Sequence, residues 1–334
     1  MHPALSVIVF TVASGIGYGM LMLLAVLLPA GAMPTDRLFG AVALGLALAA
    51  IGGGLLSSTA HLGRPERAWR AFSQWRSSWL SREGVLAVAS LAMLLALILV
   101  WPILEAPDDC IAATGVLTGL LSAMTVVATA MIYRSLKPVA RWHNRWTVPC
   151  YVAIALASGT LWLEAAGAAT GRAGLLPPGV AAALVLLAAV VKALYWRHTD
   201  RAPAPATMES ATGLGAFGHV RPLDPPHTAE NYVMKEMGFR IARKHAAKLR
   251  RIAGGLAVAA PLLLMGLGWV LPVLRPAAAL LAAPVATVGV LVERWLFFAE
   301  AKHLAMLYYR ADDAARAAAA SADLRYGNRL SIED

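Results

Sequence analysis

The chain has 334 residues, 59% of them hydrophobic and only 14% charged, with a mean hydropathy of +0.64. That balance excludes an ordinary soluble domain of this length and makes the bilayer the solvent. The formal net charge of +10 does not signal nucleic acid, because the basic residues gather in the connections between apolar runs, and 2 cysteines are too few to ligate an iron–sulfur cluster.

A hydrocarbon core of about 30 Å needs roughly 20 mostly apolar residues per helical span. Runs of that kind lie near 4–29, 38–60, 84–104, 111–133, 147–170, 176–195, 252–274 and 277–298. Gly52, Gly53, Gly54, Pro261 and Pro284 fall inside them, which membrane helices tolerate. No alternating strands argue for a β-barrel. The expected fold is all-α: a polytopic membrane bundle of about eight transmembrane helices forming a single membrane domain, 1–334. The first run lacks a charged segment ahead of it and is too long for a signal peptide, so it is read as a retained span in a chain starting at Met1 or His2. Cys110 and Cys150 fall near opposite faces and are expected to be packing residues rather than a disulfide.

The charges set an orientation. In an eight-span arrangement one face carries Arg64, Arg67, Arg70, Arg76, Arg82, Arg134, Lys137, Arg141, Arg145, a cluster from Arg197 to Arg251, and Lys302 onward. The other has Arg37, Arg172 and Arg275 beside Asp36, Glu105, Asp108 and Asp109. The positive-inside rule makes the basic face cytoplasmic, with both termini inside a bacterial inner membrane.

Taken in order, span 1 presents Ser14, Gly15, Gly17 and Gly19, a small-residue surface for close helix approach. Span 2 ends in Gly52–Gly54, again read as a close-packing face, and delivers His61 to the cytoplasmic surface. The segment 61–83, HLGRPERAWRAFSQWRSSWLSRE, follows. Its Trp69, Phe72, Trp75 and Trp79 recur at intervals of three and four, which predicts a helix lying in the membrane interface with arginines on its other faces. Span 3 opens with Ser81, Arg82 and Glu83; a carboxylate there either caps the helix or handles protons, and position alone leaves both open. Glu164 and Lys192 are each expected to reach the nearer membrane surface. Residues 197–251 are the largest polar piece, turn-rich at first and then a basic helix from about Ala229, suited to anionic lipid or to a docked partner. Glu293 and Arg294 are expected either to enter the interface or to face protein. The tail, 311–334, is Ala-rich and then polar.

All 8 histidines fall on the cytoplasmic side of this map, so no pair is set to ligate a haem between helices, and no phosphate, dinucleotide or metalloprotease motif is present. What remains is a polar group of His61, Arg64, Ser81 and Glu83 at the mouths of spans 2 and 3, framed by Trp79 and the other tryptophans. Quinone chemistry needs such groups, because protons are taken up or released at the carbonyl oxygens.

The stretches MHPALSVI, HLGRPERAW with SWLSREG, and LGAFGHVRPLDPPHTAENYVMKEMGFRIARKHAAKLR together resemble the membrane anchor subunits of the dimethyl sulfoxide reductase family. The resemblance implies a haem-free, quinone-binding anchor that holds a four-cluster iron–sulfur subunit and a molybdopterin catalytic subunit, those redox centres residing only in the partners. It implies that Glu83 is the quinone-site carboxylate and His61 its companion; Arg64, Ser81, Arg82 and Trp79 are added by proximity. The inward-facing charge pattern and the His219–Arg251 loop look most like anchors of sulfite:quinone oxidoreductases, with electrons passing into quinone. Residues 61–83 would then be the quinone-site loop and 197–251 the dock for the iron–sulfur subunit. The alternative keeps the fold and reverses the flow, a quinol-oxidising anchor of an oxide reductase; a non-redox scaffold or transporter is more distant, since neither repeated halves nor broken helices stand out.

Overall fold

The computed structural model describes residues 4–60, 63–203, 205–220, 223 and 245–309. Among these, all regular structure is helical, and 8 helices are long and apolar enough to cross a membrane. They are α1 (Leu5–Leu27), α2 (Arg37–Thr59), α3 (Trp79–Ile98), α4 (Asp108–Arg134), α5 (Thr147–Ala169), α6 (Pro178–Arg201), α7 (Ala246–Val270) and α8 (Arg275–Ala299). Each expected run became one of them. The main boundary difference is at α3, which starts at Trp79, so that Glu83 lies just past the first turn rather than in it. The helix from Ala229 and the tail 311–334 fall outside the described residues, save for α7 starting at Ala246.

Local signals set the starts. Asp36 accepts the Phe39 N–H at 3.2 Å and Ser78 accepts the Ser81 N–H at 3.5 Å, each capping a first turn. Pro107 precedes α4, whose first turn holds Asp108 and Asp109 beside the positive end of the helix dipole. Along α4, Thr118, Ser122, Thr125 and Thr129 each bond the carbonyl four residues back, so hydroxyls facing the interior are satisfied without water. Thr125 also meets Ser90 of α3 at 2.9 Å.

The helices α1 to α4 form one half and α5 to α8 the other, joined where α1 packs on α5 and α8. That seam depends on absent side chains. A Cβ on Gly19 would lie 1.8 Å from the Ala155 carbonyl oxygen, and one on Gly159 would lie 2.3 Å from the Gly19 backbone. Of the triplet in α2, Gly54 packs against Ser14 and Phe10, whereas Gly52 and Gly53 face open space, so the close-packing face is one glycine wide.

Short connections, 28–36, 104–107, 170–177 and 271–274, close one end of the bundle. The longer ones, of which 63–78, 135–146 and 205–220 are described, gather at the other with many of the basic residues. In the first of these the structure corrects the expectation of an α-helix: Pro65–Gln74 is a 3-10 helix, and Trp79 belongs to α3. With three residues per turn, Trp69, Phe72 and Trp75 still share a row, which is why either helix type satisfies the spacing. All three are exposed. Phe72 lies over Gly84, where a Cβ would stand 3.1 Å from its ring, and Arg82 donates to the carbonyls of Trp75 and Arg76 at 3.0 and 2.7 Å, tying the segment to α3.

Candidate functional site

Glu83 sits just over one turn into α3 on the face that packs against α4, and only 6% of it is exposed. The hydroxyl of Thr129 in α4 lies 2.5 Å from its Oε1 and 3.0 Å from the Thr125 carbonyl, so one proton serves two acceptors. Tyr18 of α1, Tyr133 of α4 and Tyr151 of α5 stand within electrostatic reach of the carboxylate. Next to this group, between α1, α4, α5 and α8, is a cavity of about 20 Å³ lined by Thr11, Ser14, Tyr18, Thr129, Tyr151 and Arg294, among others. That is room for water, with polar partners to hold it.

The other residues singled out from the sequence divide around Glu83. Ser81 is buried with it, at 3% exposure. Trp79 and Arg82 pair with each other, the guanidinium 4.3 Å from the ring, and belong to the aromatic segment rather than to the interior. Arg64 is exposed ahead of the 3-10 helix. His61 lies outside the described residues. The structure thus brings Ser81 and Glu83 into the bundle, sets Trp79 and Arg82 at its rim, and leaves Arg64 at the surface.

Lys192 departs from its expectation, whereas Glu293 and Arg294 take the second of the two places expected for them. Lys192 does not reach the surface: it is 5% exposed and bonds the Glu293 carboxylate, because α6 and α8 both pack on α5 and bring the two side chains together. Glu293 and Arg294 both face protein, at 4% and 2% exposure, and the Glu293 carboxylate lies 3.6 Å from Arg294 Nε. Arg294 stands 4.0 Å over the Tyr151 ring and Lys192 4.1 Å over the Tyr195 ring. A lone charge at the bilayer centre costs on the order of 3 kcal/mol, so mutual pairing and the aromatic faces are what make this group tolerable there. At the short-loop end Glu164 is also buried rather than exposed, its carboxylate accepting the Leu175 and Leu176 N–H groups at 3.2 and 2.6 Å.

At the long-loop end, Arg141 bonds Glu300 at 2.8 Å and Asp200 at 3.0 Å, and Arg250 bonds the same two carboxylates at 2.9 and 2.5 Å. This network fastens the connection after α4 to the ends of α6 and α8 and the start of α7. Neither it nor the Lys192–Glu293–Arg294 group was read from the sequence. The available signal was a set of charges falling inside or just past apolar runs at similar distances from the basic end.

Residues 1–198 match the family described as DMSO reductase anchor subunit (DmsC). The chain is also 32% identical, over 329 residues, to a sulfite dehydrogenase subunit of Allochromatium vinosum, covering 93% of this chain and 99% of that protein. Eight membrane-length helices built around these matches make this a multi-pass protein, and the chain belongs to the family of DMSO reductase membrane anchor subunits.

Proposed function

We propose that this anchor is the quinone-reactive subunit of a sulfite-oxidising complex, taking electrons from an iron–sulfur partner that is itself fed by a molybdopterin subunit. The observation that carries the reading is Glu83: a buried carboxylate at the long-loop end, held by the one hydroxyl of Thr129, a residue that itself lines a water-sized cavity. The similarity to a sulfite dehydrogenase protein favours sulfite as the partner's substrate. The basic loops favour a cytoplasmic setting for this end, with the iron–sulfur subunit docked over 197–251 and the Arg141–Asp200–Arg250–Glu300 network.

Quinone supplies the two-electron acceptor. The donor set here suits its carbonyl oxygens: Glu83 carries the proton, Thr129 fixes one carboxylate oxygen, and the apolar packing of α3 on α4 keeps bulk water from competing. The cavity of about 20 Å³ is too small for a quinone ring, so the ring is assigned to the start of α3, where Phe72, Trp79 and Arg82 are exposed or half-buried. His61 is retained as the second group that the family resemblance implies.

The test is sulfite-dependent quinone reduction by the complex in inverted membrane vesicles, with the wild-type chain and with Glu83→Gln. Activity in the wild type and its loss in the variant, with the complex still assembled, is the expected result. Quinone-coupled turnover that survives Glu83→Gln would remove the carboxylate from the chemistry. The match to a DMSO reductase anchor favours a second reading with reversed flow, and quinol oxidation on adding dimethyl sulfoxide, with no response to sulfite, would select it.

A further inference from the structure

We infer that Lys192, Glu293 and Arg294 are the inner end of a proton route that serves Glu83 by way of Tyr151, Tyr18 and the water-sized cavity between them. The inference rests on Glu83 being the quinone-site carboxylate. Reduction of one quinone takes two electrons from the iron–sulfur partner and two protons, each forming an O–H bond at a carbonyl oxygen. Glu83 carries one proton at a time and is 6% exposed, so it has to be reloaded through the protein.

The path is built from buried charges that pair with one another and from buried hydroxyls beside them. Buried ionisable residues within membrane helices are rare and mark ion or proton pathways. The Tyr18 and Tyr151 hydroxyls and Arg294 Nε are buried without a hydrogen-bond partner among the described residues. All three of those residues line the cavity that also touches Thr129, the residue holding Glu83. Its volume of about 20 Å³ takes a water that bonds several of these atoms at once. Ser158, Ile154 and Val290 line this cavity and also a second, apolar one of about 270 Å³ between α5, α6, α7 and α8. The charged members of that second cavity are Lys192 and Glu293. From there Trp196 leads to the surface, its ring lying 5.1 Å from Lys192 Nζ and 5.2 Å from the Arg250 guanidinium of the long-loop network.

The roles divide by chemistry. Arg294 stays protonated and orients its neighbours, and the Glu293 carboxylate, bonded directly to Lys192, is the member that takes up and passes on the proton. The tyrosine hydroxyls pass a proton by accepting one and donating another. Other titratable groups around the pair are Cys150 and Tyr151 from α5, Tyr195 from α6 and Tyr133 from α4, with Glu83 beyond them. A proton enters at the long-loop end, Glu83 gives its own to the quinone oxygen, and the route replaces it.

The experiment uses the whole complex in vesicles and compares wild type with Glu293→Gln, Tyr151→Phe and Ser158→Val. Each is read for quinone-coupled turnover, its solvent deuterium isotope effect, the quinone KM, and electron delivery to a water-soluble acceptor that the iron–sulfur subunit reduces directly. The expected result is a fall of about tenfold or more in quinone-coupled kcat with a larger isotope effect, the KM and the soluble-acceptor rate staying in place. If Glu293→Gln fails to assemble, the two milder variants decide. Wild-type kcat and isotope effect in assembled Tyr151→Phe and Ser158→Val overturn the route. Absence of quinone-coupled turnover in the wild type would instead overturn the reading of Glu83 on which it rests.

Discussion

The bundle holds a buried glutamate near each end, and the two are treated differently. Glu164, at the short-loop end, accepts two backbone N–H groups from the connection after α5, so its carboxylate is built into the turn and is committed to holding Leu175 and Leu176. Glu83, at the long-loop end, shares one hydroxyl with a backbone carbonyl and has no second fixed donor among the described residues; a cavity stands near each, lined by Glu164 itself at one end and by Thr129, the partner of Glu83, at the other. On the function proposed above, the same residue type at similar burial is a structural fastener where its lone pairs are matched and a proton carrier where they are not. Burial alone therefore does not identify function in a membrane helix; the count of fixed donors does.

The largest expected effect on this comparison is from Glu83→Gln. It keeps shape and removes the titratable proton, so quinone-coupled turnover should drop by about 10²- to 10⁴-fold while thermal stability of the complex is unchanged. A stability loss with proportionate turnover would reduce Glu83 to the status of Glu164. Next is Glu293→Ala, which leaves Lys192 and Arg294 as uncompensated buried cations and should destabilise the anchor by roughly 3–5 kcal/mol, seen as lower yield and an earlier unfolding transition in detergent. Glu164→Ala should cost about 1–3 kcal/mol for two orphaned N–H groups and leave the turnover of the remaining folded complex intact. A turnover defect there, at unchanged stability, would break the contrast from the other side.

The smallest effect is a pH response outside the membrane. The Glu209 carboxyl is held down to about 2, first by its own backbone N–H, then by the Thr207 hydroxyl and the Val220 N–H. A depressed folded value means that this contact stabilises the loop above the ordinary carboxylate range and is lost only as pH falls through about 2. The Val220 amide should stay protected from hydrogen exchange down to that point. Loss of protection near the ordinary value of about 4.3 would show a carboxylate no better held than in a free peptide.

The spans were legible because a bilayer demands long apolar runs, and Glu83 stood out as a carboxylate where such a run begins. The direction each side chain takes was not. Ser81 and Glu83 turn into the bundle while Trp79 and Arg82 stay at the rim, a division set by how α3 packs on α4 and by Arg82 reaching back to the carbonyls of Trp75 and Arg76. Lys192 and Glu293 belong to helices far apart in sequence and meet only because α6 and α8 both pack on α5. Lys192 therefore read singly as a charge near a membrane surface, and Glu293 as one that enters the interface or faces protein, with no partner named across helices. The aromatic row of the 61–83 segment was read correctly as a row, but spacing of three and four residues does not separate a 3-10 from an α-helix.

The unequal ends of the bundle also bear on energy coupling. With the long loops, Glu83, the partner dock and the proton entrance all assigned to one face, electrons and protons reach quinone from the same aqueous compartment. Turnover then moves no net charge through the bilayer, although each elementary charge carried across it would be worth about 2.3 kcal/mol per 100 mV. An imposed membrane voltage in sealed vesicles should leave the rate unaltered, and a voltage-dependent rate would mean that one of the two carriers comes from the short-loop side. On the same-side arrangement, the sulfur chemistry feeds the quinone pool at equal speed in energised and de-energised cells, and any ion gradient is built by whichever enzyme next oxidises the quinol.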